Sequence, residues 1–596
     1  MDEFDILIKD VLIVEGTGKQ PYIGSIAIFE DKIIDIGDIK GDTKRILDGQ
    51  KLTAIPGFID AHSHFDQTIL WYPNCENGVM QGITTFIGGQ CGHSMAPVGD
   101  YVTVPIMLGD HLSELDPYMY HPNKRLYPLK QVNEWMKEIY GWIIDWENME
   151  QFFNKVENGG ISINYAPLVG HATIREKVMG LDYERHSTAK EMKEMQLLIK
   201  EAMDQGCIGM SAGLDYDPDV FASQDEIIHG VKVLRKYNGI YCPHWKKTGR
   251  RIGIAAGYRS FEPIKGIMES IEVYKKTGVR LHLAHLRSGW NINPIPPEEL
   301  EKANIMATID TITKESRKKF DITWDVIPIM ALGGFTWLGP YLASLLEPWL
   351  RTLGSKEELG KWLRSKDLRD EIKEVLRKGT WGWVIYCNPN FNPYWAETIH
   401  IIKSRSPGLD GKTLGEIASE RKADPLETMF DIITEDPDTM MFPDTSGNKA
   451  WEKDSSMLFY KHPVGCIGLD EWAIDDKYQS PNPPYTRLGT NAYSAYPMFF
   501  IKYVRDRNLF TLDEAVQKTS RTAAQIYNLE GRGILSKGSY ADIVLMDLQK
   551  LKVIGDAVEP RKYPKGIEYV FVNGVPVVEK GKHTGARPGK VLKRTS

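Results

Sequence analysis

The chain has 596 residues, 42% of them hydrophobic and 26% charged, with a formal net charge of -7. That is an ordinary globular balance, long enough for one large domain with attachments, and it excludes a low-complexity chain and a basic nucleic-acid or anionic-membrane surface. Six cysteines at long, irregular spacings exclude a disulfide framework and fit reduced thiols in a cytoplasmic protein.

In chain order, the first stretch alternates short β-branched runs with glycine (Ile6-Leu7-Ile8, then Gly16-Thr17-Gly18, then Ile26-Ala27-Ile28). It predicts small antiparallel strands, and residues 1–10 show no basic, then apolar, targeting pattern. An apolar run then ends in Asp60-Ala61-His62-Ser63-His64. Residues 100–147, dense in Tyr, Trp, Met and Pro, read as an insertion that serves as a lid or as packing and oligomer contacts.

From there strand-like and helix-like runs alternate: residues 161–166, then a helix over 189–205; residues 239–244; residues 279–285, then a helix over 297–311. Such alternation predicts an α/β protein, and its count suits a closed (β/α)8 TIM-type barrel. A doubly wound sheet is the weaker reading, because no glycine-rich dinucleotide loop follows the first strand. Residues 327–350 are apolar over a spanning length, yet Gly333, Gly334, Gly339, Pro340, Glu347 and Pro348 argue for a buried loop and helix beside the active site. Residues 354–444 form a second, charged and helical insertion. The far end repeats the β texture, with Asn573-Gly574 as a hairpin turn. The predicted organisation is residues 1–57 and 534–596 as two halves of a small β-sandwich, with the barrel over 58–533.

The chemistry concentrates at strand ends. His62 and His64, two apart, share one face of an extended strand, which makes half of a metal site. Cys91 follows the run Ile83–Gly88, His244 ends the run at 240, His285 ends the run at 281, and Asp470 closes Ile467-Gly468-Leu469-Asp470. A polar ligand type capping a short apolar run is where barrel enzymes place their reacting groups.

These motifs resemble the amidohydrolase superfamily, in the branch typified by D-aminoacylase. The resemblance rests on the run from Pro56 to His64, Gln90-Cys91-Gly92, Leu168-Val169-Gly170-His171 with Arg175, and Ser211-Ala212-Gly213-Leu214-Asp215-Tyr216. It continues through Leu283-Ala284-His285 and Ile467–Asp470 to Gly531-Arg532-Gly533, Tyr540-Ala541-Asp542 and Val572-Asn573-Gly574. It implies a metal centre built from His62, His64, Cys91, His244 and His285, holding one or two divalent ions. Thiolate beside imidazole favours zinc, with manganese or cobalt as alternatives. It also implies Asp470 as proton shuttle for a metal-activated water attacking a carbonyl carbon.

Three departures from the branch stand out: Arg287 where a lysine is usual, His93 beside Cys91, and Asn491 where an arginine would hold a substrate carboxylate. With Tyr216 and Tyr493 these are the candidate substrate contacts. Tyr216, Arg287 and Tyr493 either touch substrate or support the residues that do. Loss of the arginine predicts a small, neutral or weakly acidic carbonyl substrate, and ring-opening of a cyclic 1,3-diketone or cyclic amide. The alternative is N-acyl-D-amino-acid deacylation; deamination and a non-catalytic scaffold rank below. A cytoplasmic homo-oligomer, a dimer, acting on a small molecule without nucleic acid or membrane completes the expectation.

Overall fold

The computed structural model describes the chain apart from residues 1–3, 40–42, 110–125, 216, 247–261, 287–297, 329–340, 379–393, 444–456, 479–488, 557–558 and 595–596. Eight parallel strands form its centre: β1 (Phe58–Asp60), β2 (Ile83–Gly88), β3 (Asn164–Gly170), β4 (Gly209–Gly213), β5 (Ile240–His244), β6 (Arg280–Leu283), β7 (Ile322–Val326) and β8 (Gly465–Ile467). Each pairs with the next in sequence order. The ring closes just beyond β1 and β8, where the Ala61 amide donates to the Ile467 carbonyl at 3.2 Å and the Asp470 amide to the His62 carbonyl at 2.8 Å. The (β/α)8 barrel is therefore as the alternation predicts.

Nearly every residue of these strands is buried, as a parallel sheet covered on both faces requires. The predicted helices between strands are present as Ala189–Asp204 and Glu298–Thr313. Thr188 caps the first in a reciprocal capping box with Glu191. Inside the barrel, Ile59, Ala166, Leu168, Ile208 and Ile240 pack with Ala523, Ile526 and Tyr527 into an apolar cluster below the strands' C-terminal ends.

The two chain ends meet in one nine-stranded sheet, joined where Thr53–Pro56 pairs antiparallel with Ile543–Met546. Ile8, Ile13, Ile26 and Ile28 from the first end share a core with Leu535, Ile543 and Phe571 from the second, so neither end buries its apolar face alone. Asn573 and Gly574 adopt φ of 48° and 79° between paired strands, the left-handed pair a tight hairpin needs.

Residues Tyr341 to Met441 hold a hydrophobic core of their own, including Leu342, Leu346, Leu359, Ile417, Phe430 and Ile433. Of the apolar stretch 327–350, residues 329–340 lie outside the described residues. Leu342–Leu346 and the helix Glu347–Leu353 that follows it belong to this core. In the aromatic insertion, Tyr101–Thr103 pairs with Leu126–Pro128, and the helix Leu129–Tyr140 follows.

Candidate active site

Every barrel strand delivers its chain to one rim, and the rim gathers the residues the sequence singled out. His62 and His64 leave β1, Cys91 leaves β2, His244 ends β5, His285 leaves β6 and Asp470 leaves β8. Two groups of potential ligand atoms result, each within 4.8 Å of one another: His62, His64, Cys91 and Asp470, and Cys91, His244 and His285. Cys91 belongs to both. Its Sγ lies 3.3 Å from His62 Nε2, 3.7 Å from His244 Nδ1 and 3.8 Å from His285 Nε2. Asp470 Oδ1 lies 3.1 Å from His64 Nε2 and 3.4 Å from His62 Nε2.

The backbone is forced at three of these positions. Cys91, His285 and Asp470 have φ of 54°, 37° and 59°. Left-handed non-glycine residues of this kind cost about 1–3 kcal/mol each and persist where surrounding bonds over-determine them. Around Cys91 those bonds are visible: the Ser211 hydroxyl accepts from the Gly92 amide at 2.8 Å and donates to the Gly89 carbonyl, and the Gln90 amide group donates to the Ala61 carbonyl at 3.0 Å. Gly89 has to be glycine, because its φ is 73° and a Cβ there would lie 2.1 Å from the Leu168 carbonyl oxygen.

Charge in the site is finely opposed. Burial alone would raise the Cys91 thiol, but His62, then His244 and His285, hold it well below the ordinary thiol range. Burial likewise works against an ionised Asp470, and His62 with His64 outweighs it, leaving a carboxylate. In return, His64 is pushed up to about 9: burial opposes its charge, and Asp470 and Cys91 prevail. Two buried anions thus draw protons onto neighbouring imidazoles. A divalent cation would supply that positive charge in place of those protons, and thiolate, imidazole and carboxylate are a zinc-type donor set. The residues present fit a metal.

Carboxylates behind the rim orient the imidazoles. Asp325 of β7 lies 3.6 Å from His62 Nδ1, and Asp215 lies 3.7 Å from His244 Nε2. Neither is among the site residues expected from sequence; Asp325 sits inside the apolar run of β7 and not at its end, so it lacks the cue that marks Asp470. Asp215 stands in the Ser211–Tyr216 motif. A further buried network joins His171 to Asp219 at 2.8 Å, and Arg175 to Glu226 and the carbonyl of Tyr183. Asp219 also accepts from the Gly213 amide at 2.8 Å, fixing the end of β4 beside the Cys91 loop.

The candidate substrate contacts fare differently. Tyr216 and Arg287 lie outside the described residues. Asn491 is 2% exposed and donates its amide to the Leu469 carbonyl, so it braces the loop bearing Asp470. Tyr493 is fully buried, with its hydroxyl on the Asp475 carbonyl at 2.9 Å. Tyr493 thus fits the supporting role the sequence left open, and Asn491 is anchored through its amide nitrogen while its Oδ1 has no hydrogen-bond partner among the described residues. The His93 amide donates to the Gln90 carbonyl at 3.0 Å, and its ring joins neither ligand group. Missed altogether is Trp472, whose ring stacks on His64 at 5.2 Å and whose indole N–H donates to Gln67 Oε1 at 3.1 Å.

Comparison with known proteins agrees with this architecture. The model of the amidohydrolase family matches residues 404–578. D-aminoacylase of Alcaligenes xylosoxydans xylosoxydans is 25% identical over 597 residues, covering 100% of this chain and 98% of its own. A solved D-aminoacylase, studied for its binuclear metal center, superposes with a TM-score of 0.67 at 22% identity over 99% of this chain and 100% of its own. N-acyl-D-glutamate deacylase from Bordetella bronchiseptica, solved with zinc and a phosphonate inhibitor, gives 0.66 at 21% identity over 99% and 100%. The chain is a metal-dependent hydrolase and belongs to the amidohydrolase superfamily, in its D-aminoacylase-like branch.

Proposed function

We propose that this hydrolase cleaves an amide bond in an N-acyl amino compound, with His62, His64, Cys91, His244 and His285 as metal ligands and Asp470 as proton shuttle. The observation that carries the reading is the pair of ligand groups sharing Cys91, with Asp470 Oδ1 3.1 Å from His64 Nε2. These five residues would hold a divalent ion, whose Lewis acidity would serve to polarise the carbonyl and to acidify water toward a pKa of about 7.

The chain's own residues supply the rest. Asp470, whose Oδ1 lies 3.1 Å from His64 Nε2 and 3.4 Å from His62 Nε2, takes the proton of the attacking water. It is then positioned to return that proton to the departing nitrogen, so the leaving group departs as a neutral amine. The Asp470 amide is bonded to the His62 carbonyl at 2.8 Å, which ties its backbone to the segment that bears His62 and His64. Trp472 covers one face of His64 and shields that flank from water.

The amide reading takes precedence over ring-opening of a 1,3-diketone because the full-length relatives are named for amide chemistry. The test is turnover of the metal-loaded protein on N-acetyl-D-amino acids, hydantoin-like rings and dihydrophloroglucinol-like diketones, with Asp470→Asn as control. Turnover of N-acetyl-D-amino acids that is lost in the variant is the expected result. Turnover of diketones alone would overturn it.

A further inference from the structure

We infer that Asp325 is a positioning residue that sets both ligand groups at once, through a polar relay Thr323–His282–Asp325–His62 rising through the barrel. The inference rests on the reading of His62 and His285 as ligands.

Asp325 is fully buried on β7, and its carboxylate touches three things. Oδ2 lies 3.0 Å from His282 Nε2 and 3.6 Å from His62 Nδ1, while Oδ1 accepts from the His285 amide at 3.0 Å. Its carbonyl accepts from the Leu286 amide at 2.8 Å. One residue thus faces the ring of a ligand in the first group and pins the backbone of a ligand in the second. The pinned residue is His285, whose φ of 37° needs restraint.

The relay also selects a tautomer. A carboxylate only accepts, so His282 presents Nε2–H to Asp325, while its Nδ1 lies 2.8 Å from the Thr323 hydroxyl, which also reaches the Leu281 carbonyl at 3.3 Å. His62 Nδ1 faces the same oxygen at 3.6 Å, longer than a hydrogen bond, so the carboxylate favours the proton on Nδ1 by its charge and not by a formed bond. The His62 Nε2 lone pair is then left for the centre, and Nε2 is the atom 3.3 Å from Cys91 Sγ. Carboxylates behind a ligating imidazole act in this way generally, and their removal costs about 10–100-fold in metal affinity or activity.

Gly468 gives independent support. A Cβ there would lie 2.5 Å from Asp325 Oδ1 and 2.6 Å from His62 Cβ. The barrel closure leaves room for this pair to approach and for nothing between them.

The experiment titrates metal-free protein with cobalt(II). It reads the thiolate-to-cobalt charge-transfer band, the visible ligand-field bands and the affinity by chelator competition, in wild type, Asp325→Asn, His282→Gln and Cys91→Ser. Asp325→Asn is expected to weaken cobalt binding about 10–100-fold and to shift the ligand-field bands. His282→Gln should move both in the same direction by less, and it carries the test if Asp325→Asn does not fold. A purely structural Asp325 would lower the melting temperature and leave the bands in place; wild-type bands and affinity in both variants overturn the inference. Cys91→Ser separates the two levels. Loss of its charge-transfer band alongside unchanged Asp325 and His282 variants removes only the relay, whereas an unchanged Cys91→Ser spectrum removes the ligand assignment and the relay with it.

Discussion

The rim of the barrel and its floor are built from the same eight strands and solve opposite problems. At the rim, Cys91, His285 and Asp470 hold left-handed backbones and opposed buried charges. At the floor, Ile59, Leu168, Ile240, Ile526 and Tyr527 are closely packed and almost wholly apolar. The rim spends stability on chemistry and the floor supplies it. This division is what a parallel barrel allows, because its loops vary at one end while its core is sealed at the other.

The comparison breaks most visibly at Cys91. Cys91→Ala removes the ligand atom both groups share, so kcat/KM should fall about ten-thousandfold or more, the equivalent of several kcal/mol of lost transition-state stabilisation. The fold should keep its melting temperature or gain, since a buried anion and a demand on neighbouring imidazoles both disappear. Steady-state assay with metal analysis and calorimetry checks both halves. A large drop in melting temperature with metal content intact would place Cys91 with the floor.

Asp470→Asn sharpens the same point. Asparagine keeps the shape and cannot accept the water's proton, so kcat should fall about a hundred- to ten-thousandfold. The shared Cys91 group is left in place, and metal content should stay near wild type. Loss of metal together with rate would make Asp470 chiefly a ligand and leave the proton shuttle unassigned.

Ile526→Ala is the converse experiment at the floor. Ile526 is fully buried beneath the strands. Its truncation should cost about 2–5 kcal/mol through lost transfer energy and the cavity left behind. Denaturant unfolding reads that loss, while kcat stays within about twofold of wild type. A rate loss matching the stability loss would mean that floor and rim are mechanically coupled.

The rim was the legible part of the sequence because its residues carry unusual chemistry at strand ends. His62, His64, Cys91, His244, His285 and Asp470 each interrupt an apolar run, and the structure brings all of them together. Asp325 interrupts one too, but an aspartate alone does not say whether it faces substrate, metal or another histidine; only closure of the barrel, which leaves β8 alone between β7 and β1, decides that. Asn491 and Tyr493 show the reverse difficulty. Their place in the motif order suggested substrate for Asn491 and left contact or support open for Tyr493, and the helix Thr490–Phe499 sets both on backbone carbonyls, which motif order does not report. The nine-stranded sheet was legible in its strands and in its Asn573-Gly574 turn, since alternation and turn chemistry are local. The separate core at 341–441 was not, because helical periodicity reports a buried face without naming its partner.

The smallest effect expected at the floor is also the cleanest in sign. Lys518 is buried below β8, where its ammonium donates to the carbonyls of His462 at 2.6 Å and Gly465 at 3.3 Å. Burial pulls its pKa from 10.5 down to about 8. Below about pH 8 the folded and unfolded chains both carry this proton, and the fold bears the full cost of a buried cation. Between about pH 8 and 10.5 only the unfolded chain carries it, so this residue's contribution to stability improves as pH rises, by up to about tenfold in the folding equilibrium per pH unit. Other groups titrate in that window, so the measurement is the difference between wild type and Lys518→Met in denaturant unfolding from pH 7.5 to 10.5. Wild type should gain on the variant with rising pH. Parallel curves would mean that the two carbonyls stabilise the ammonium as well as water does, and the floor would then tolerate charge as readily as the rim.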